Sequence, residues 1–233
     1  MYGDDSYSIG IAGSPNLSVS SLVARVRRNI REFDPEYFTD EELLGFINEA
    51  HQKVYDELCM FYDGWFKQST TISLVAGQIE YDLPTDFKRL LKVILQKSGG
   101  TLLNRPIKLR YIPYQQYEDF NQVYTTLDTL SYYLAGTKIG VLPKPKTAVT
   151  DALKIEYIPV PSDLTLSGNH NLPLDYARLV VHLATFYALS AEDEQAGNKW
   201  WTIYQEDLLN MRHDLSTRDE SDTEYMRYDI FGD

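Results

Sequence analysis

The sequence predicts an α+β protein: a helical bundle formed by N- and C-terminal helices, with an inserted antiparallel β-sandwich or barrel-like region. Three observations predict it. Apolar residues recur at helical spacing over residues 18–64 and again over 172–215. Between residues 65 and 160 the period falls to two, and glycine-bearing turns punctuate that block. The chain thus divides into a flexible N-terminal arm (1–17), a bundle drawn from 18–64 and 172–215, a β-rich insertion (65–160), and an acidic C-terminal tail with aromatic anchors (216–233).

Residues Met1 to Asn16 are rich in Gly, Ser and Asp, too polar to bury themselves, and are read as an arm ordered only against a neighbour. A serine at 18, 20 or 21 caps a first helix running to about Glu32. Leu22, Val26, Ile30 and Phe33 form its apolar side, and Arg25, Arg27, Arg28 and Arg31 fill the other faces. Those arginines are either a solvated face paired with acidic neighbours or contacts to an acidic partner surface or a DNA backbone. Thr39 followed by Glu42 is a capping box. The helix it opens carries Leu43, Leu44, Ile47, Ala50, Val54, Leu58 and Phe61 on one stripe, to about Tyr62, where Asp63-Gly64 stops it. Asp34-Pro35-Glu36 between the two predicts an antiparallel pair.

The predicted strands are Phe66–Val75, Gln78–Leu83, Arg89–Gln96, Thr101–Leu109, Ser131–Ala135, Lys138–Leu142 and Leu153–Tyr157. Ala76-Gly77, Ser98-Gly99-Gly100 and Gly136-Thr137 are the tight turns between them, so that Gln78 onward is the return strand of Phe66–Val75. Leu83-Pro84 ends that strand because proline cannot donate to the ladder, and Thr85 and Asp86 are placed to cap one helical turn. Tyr114 to Gln122 is read as a short helix.

Pro159, Pro161 and the Gly168-Asn169-His170 loop lead back to helix. From Asp175 to Leu189 the chain is apolar nearly all round, the mark of a buried helix. After a break at Ala191 to Gly197, a last helix from Lys199 to about Leu215 carries Trp200, Ile203, Tyr204, Leu208 and Met211. From Asp214 to Asp233 seven acidic residues stand against two arginines, yet Tyr225, Met226, Tyr228, Ile230 and Phe231 lie close together. Such anchors suit an extended segment that orders on a partner, or one that packs back on its own domain.

Composition removes several functions. The net charge of −12 over 233 residues opposes a free-standing nucleic-acid reader, which needs Lys and Arg on phosphates. It suits a protein that DNA must slide past, or simply a soluble one. Eighteen tyrosines either serve interfaces or fill the edge of the core. Cys59 is the sole cysteine, which rules out an intrachain disulfide and a CxxC site, and its apolar neighbours make it a buried inert thiol. No apolar run spans a bilayer, and the first residues show no leader, so a cytosolically made protein with no membrane contact is expected. His51, His170, His182 and His213 are scattered, with His182 inside an apolar helix as a core histidine. Phosphate-binding glycine loops and nucleophile elbows are absent, and the acidic runs Asp40-Glu41-Glu42 and Glu192-Asp193-Glu194 do not face one another as metal ligands would. No catalytic residue, cofactor or metal is expected.

Four stretches, in order, carry a resemblance. They are Phe38-Thr39-Asp40-Glu41-Glu42-Leu43-Leu44; the segment from Thr70 to Val93 with its Glu80-Tyr81-Asp82-Leu83-Pro84 core; Tyr132-Tyr133-Leu134-Ala135-Gly136 with Ile139 and Leu142-Pro143-Lys144-Pro145; and Leu172-Pro173-Leu174-Asp175-Tyr176. Together, over roughly Leu17 to Leu215, the chain resembles the head-to-tail adaptor (connector) proteins of tailed double-stranded DNA bacteriophages. The resemblance implies a non-enzymatic virion protein at the head–tail neck: a ring, usually of twelve subunits, bound beneath the portal protein. Such a ring continues the DNA channel without sequence-specific binding and receives the tail or tail knob. It also implies that the C-terminal anchors, Tyr225, Met226, Tyr228, Ile230 and Phe231, reach the portal or a neighbouring subunit. Without the resemblance, the residues fit a monomeric cytosolic protein-binding module with no ring assembly, and less well a hydrolase with an acidic site.

Overall fold

Thr39 makes the cap that its spacing from Glu42 predicts. Its hydroxyl accepts from the Glu42 N–H at 3.2 Å, while the Glu42 carboxylate accepts from the Thr39 N–H at 2.8 Å. This opens α2, Asp40–Phe61. The computed structural model describes residues 18–32, 37–62, 64–98, 101–117, 130–191 and 194–225, with side chains of the last stretch to residue 217. The chain folds as a helical unit, Met1–Tyr62 with Ser162–Asp233, and a β unit, Asp63–Pro161.

In the helical unit α1, Val19–Ile30, is capped by Ser18 and closed by Arg31 in the left-handed conformation (φ 62°). A 3₁₀ turn at Leu174–Tyr176 leads into α3, Ala177–Ser190, in which Ala177, Leu179, Val180, Val181, Leu183, Ala184, Thr185 and Ala188 are all buried. It packs against α1, α2 and the last helix, α4, Glu194–Tyr225. The side chains of α4 that close the core are Tyr204, Leu208, Met211 and Leu215. Gly197 lies flat against Ser190 and Phe186, where a Cβ would collide. Cys59 is buried, as its neighbours predict.

Two elements here differ from expectation. The last helix begins before Lys199 and runs on to Tyr225. Its apolar stripe ends at Leu215, but no glycine or proline follows before Gly232, so the backbone continues as helix through polar residues. Phe61, assigned to the apolar stripe of α2, is 37% exposed, its ring 5.7 Å from the Arg212 guanidinium.

The β unit contains β1 (Gln68–Leu74), β2 (Glu80–Asp82), β3 (Phe87–Ser98), β4 (Thr101–Lys108), β5 (Arg110–Tyr111), β6 (Ser131–Ala135), β7 (Lys138–Leu142) and β8 (Val149–Pro159). They form two four-stranded sheets, ordered β1-β8-β3-β4 and β2-β7-β6-β5. The sheets share one core of Tyr81, Val93, Ile139, Val141, Leu153, Ile155 and Tyr157, and they do not close into a barrel. All strand pairs are antiparallel except β5 with β6.

The sharpest correction concerns the stretch after Val75. It is not the return arm of a hairpin: β1 pairs with β8 and β2 with β7, so the turn carries the chain from one sheet to the other. The Tyr81 hydroxyl holds that crossing, accepting from the Val75 N–H at 3.1 Å and donating to the Gln78 carbonyl at 3.0 Å. Nor do Thr85 and Asp86 start a helical turn. The Phe87 N–H reaches the Pro84 carbonyl at 3.0 Å in a β-turn, and the Tyr157 hydroxyl donates to Asp86 Oδ1 at 3.0 Å.

Strand β8 is longer than predicted because Asp151 interrupts the alternation that marks a strand. It sits at φ 49° beside a register shift, with its N–H on Ser73 Oγ and its carboxylate accepting from Thr71 Oγ1, each at 3.0 Å. The two-residue β5 is too short to show a period. Of the predicted helix from Tyr114 to Gln122, a 3₁₀ turn at Tyr114–Gln116 is seen, and the part beyond residue 117 lies outside the described residues, as does the N-terminal arm 1–17.

Two expected outcomes test this fold. Gly140 is paired directly across from Tyr133, whose fully buried ring occupies the space a Cβ would need. Gly140→Ala should therefore cost about 1–3 kcal/mol, measured by chemical denaturation, whereas the same change at solvent-open Gly45 should be neutral or stabilising. The second concerns pH. His51, His170 and His182 are all held below the ordinary imidazole value of 6.5, chiefly by burial. Opposing it are Asn171 and Asp163 at His51, the Leu172 backbone at His170, and Asp207 at His182; Arg25 adds to the depression at both His170 and His182. The unfolded chain then takes up protons that the folded unit resists, so stability present above pH 6.5 is lost as pH falls through the lowered values. The melting temperature should drop on acidification below 6.5, and His170→Gln should flatten that drop. An identical slope in the variant would exclude His170 from the linkage.

Candidate assembly surfaces

Among the described residues no group of three or more His, Cys, Asp and Glu could hold a metal ion. A half-open hollow of about 120 Å³ in the β unit is lined by Leu74, Leu95, Leu109, Val141 and Leu153 with Lys97 and Lys146, and by no carboxylate or imidazole. Among the described residues no helix is long and apolar enough to cross a membrane. What the molecule offers is surface.

The arginines of α1 divide. Arg27 is 8% exposed and turned inward: its Nε and Nη2 donate to Asp40 Oδ1 at 3.0 and 2.7 Å, and Nη2 also to the Phe38 carbonyl at 2.8 Å. Glu32 joins from the other side, with Oε2 3.8 Å from Arg27 Nη1 and Oε1 accepting from the Tyr37 and Phe38 N–H groups. This residue clamps the connection between α1 and α2. Arg25, Arg28 and Arg31 remain exposed and form the basic side of the helix. Spacing alone could not separate Arg27 from its neighbours, since its partners come from beyond the helix.

Of the C-terminal anchors, the backbone of Tyr225 is the last residue of α4, while Met226, Tyr228, Ile230 and Phe231 lie outside the described residues. The helix that leads to them is fixed to the unit by ion pairs. Arg212 Nη2 donates to Glu57 Oε2 at 2.8 Å, and Asp207 stands 3.3 Å from Arg178 Nη2 and 2.9 Å from His182 Nδ1. Large apolar side chains that the sequence reading did not single out are exposed on this unit: Tyr37 (72%), Met60 (70%) and Leu209 (62%). Met60 and Leu209 stand off the apolar stripes of their helices, which is the signal that could have found them.

The β unit carries two more surfaces. Tyr111 and Tyr114 are over half exposed: Tyr111 packs on Tyr132, ring centroids 5.6 Å apart, and Tyr114 separately on Tyr117 and Tyr133, at 6.2 and 5.5 Å. Tyrosine clusters of this kind are common in protein interfaces. The second is the outer face of the β1-β8-β3-β4 sheet. Its register sets Ser69, Glu156 and Lys92 in one row and Thr71, Lys154, Ile94 and Lys108 in the next. Lys154 Nζ lies 3.2 Å and Lys67 Nζ 3.6 Å from the Glu156 carboxylate. Burial pushes that carboxyl up, but the hydrogen bond from Lys154 and the charges of Lys67, Lys154 and Lys92 outweigh it and hold it below the usual 4.5. One carboxylate thus serves several lysines.

These observations can be set beside known proteins. No curated protein matches the chain. A solved structure described as the neck of an empty GTA particle computed with C6 symmetry is 16% identical, covering 71% of this chain and 76% of its own, with a TM-score of 0.25. That likeness is too distant to carry an argument, and the family match carries it instead. The SU10 adaptor protein family matches residues 17–227, nearly the whole length and all four stretches that resemble tailed-phage head-to-tail adaptors. The chain belongs to the SU10 adaptor protein family and is a structural adaptor of the phage type.

Proposed function

We propose that the protein forms a homo-oligomeric ring, of twelve copies as the resemblance implies, seated beneath the portal in the neck of the virion. Its lumen continues the channel through which the genome leaves, and its lower face receives the tail or tail knob. The observation that carries this reading is the adaptor-family match across residues 17–227. Physical features support it. A closed ring requires two different complementary surfaces on each subunit, and the helical and β units differ in chemistry. The net charge of −12 favours passage of duplex DNA over its retention, with Arg25, Arg28 and Arg31 as local contacts for an acidic partner or the DNA backbone. Tyr225, Met226, Tyr228, Ile230 and Phe231, at the end of a long helix, are the docking anchors toward the portal or a neighbouring subunit. The role needs no catalysis and no cofactor.

Light scattering and negative-stain imaging of the purified protein, alone and with the portal of its phage, test this. Rings, or monomers recruited into a ring by the portal, are the expected result; a monomer indifferent to the portal would refute it. A chain lacking residues 225–233 should keep the melting temperature of the full chain and bind the portal more weakly. Unimpaired binding would remove the anchors from the proposal without touching the ring.

A further inference from the structure

The charge of this chain is divided by unit. Between residues 63 and 161 twelve Lys and Arg face nine Asp and Glu, whereas the rest of the chain holds ten against twenty-five. A β unit of about +3 and a helical unit of about −15 are therefore joined in one chain. The positive excess has a place: Lys67, Lys92 and Lys154 on or beside the outer sheet face gather around Glu156, Lys108 stands in the next row, and the other carboxylate there, Asp151, is held by Thr71 and Lys97. Part of the negative excess lies where α4 runs on past Leu215, a buried side chain of the core. From Asp214 to Tyr225 the helix carries Asp214, Asp219, Glu220, Asp222 and Glu224 against Arg218 alone.

We propose that the lysine face of the β1-β8-β3-β4 sheet is a docking surface for the acidic C-terminal part of α4 from a second copy of this chain. The inference rests on the ring reading and names the contact that closes it. Dimensions agree: ten residues of helix past Leu215 extend about 15 Å, and four strands side by side measure about 15 Å across. The contact is heterologous, one surface of each kind per subunit, as a ring demands. A duplex could also meet these lysines, but a chain of net charge −12 repels it while supplying the complementary acid itself.

The test uses two charge reversals in the full chain. Copies with Lys92→Glu and Lys154→Glu should need at least roughly ten times the concentration of the parent to associate at low salt, by light scattering. Copies with Asp219→Lys, Glu220→Lys, Asp222→Lys and Glu224→Lys, which turn this helix end from acidic to basic, should behave alike. Each kind repels itself, but mixing them sets acid against lysine at every contact, so the mixture should recover the mass lost by each alone. Lys108→Glu, at an exposed position, weakens the face while leaving Lys67 and Lys154 on Glu156, and unchanged melting temperatures show that folding is intact. Reversed copies that still form rings would overturn this contact and leave the ring reading standing. A parent that stays monomeric with and without its portal would overturn both. Loss of association that mixing fails to restore, with lost binding to a short DNA duplex in the face variant only, would reassign the lysines to DNA.

Discussion

A helix that is apolar nearly all round cannot stand against water, and α3, with only Arg178 exposed and His182 half-buried among its polar groups near its start, imposes that condition on its whole unit. No single neighbour can cover it, so α1, α2 and α4 must surround it, with Gly197 letting the start of α4 come close against Ser190 and Phe186. Burying Leu179, Val180, Val181 and Leu183 contributes about 1.5–3 kcal/mol each, which dwarfs the surface ion pairs around it. The fully buried hydroxyl of Thr185 is partnered: it donates to the Val181 carbonyl at 2.6 Å and accepts from Asn29 at 3.2 Å. Because α3 follows residue 176, the first two helices lack their core until the whole β unit has been made.

The β unit repeats this logic with β8 in the place of α3. Its strand lies between β1 and β3, burying Leu153, Ile155 and Tyr157 on the inner side, and it too comes last. Turns made earlier are held by tyrosine hydroxyls: Tyr81 at the crossing between sheets, Tyr157 at Asp86, and Tyr133 on Glu80 at 3.0 Å. Much of the tyrosine abundance is thus internal, the ring filling core and the hydroxyl pinning a turn. Among the described residues Tyr37, Tyr62, Tyr111 and Tyr114 face outward.

A structural adaptor works through surfaces that stay vacant until assembly, and such surfaces cost the monomer little. Lys67 and Lys108 beside a sheet face and Tyr111 and Tyr114 near a short edge strand remain solvated in the single copy. Their energetic value appears only when water leaves them between partners.

The sequence by itself determined what depends on neighbours along the chain. The capping box at Thr39 and Glu42, the predominant burial of α3, the buried thiol of Cys59 and the tight turn at Gly136 were readable because propensity, period and capping are local. The family could be read the same way, from four short strings in order. Tertiary structure decided whatever depends on distant partners. Nothing near Ala76-Gly77 tells a hairpin from a crossing, because that choice belongs to β8 and β7. Nothing in α1 marks Arg27 as the buried one of four arginines, because Asp40 and Phe38 make it so. The lysine face is invisible in sequence for the same reason: its members are scattered from residue 67 to 154, and only the strand register sets them side by side.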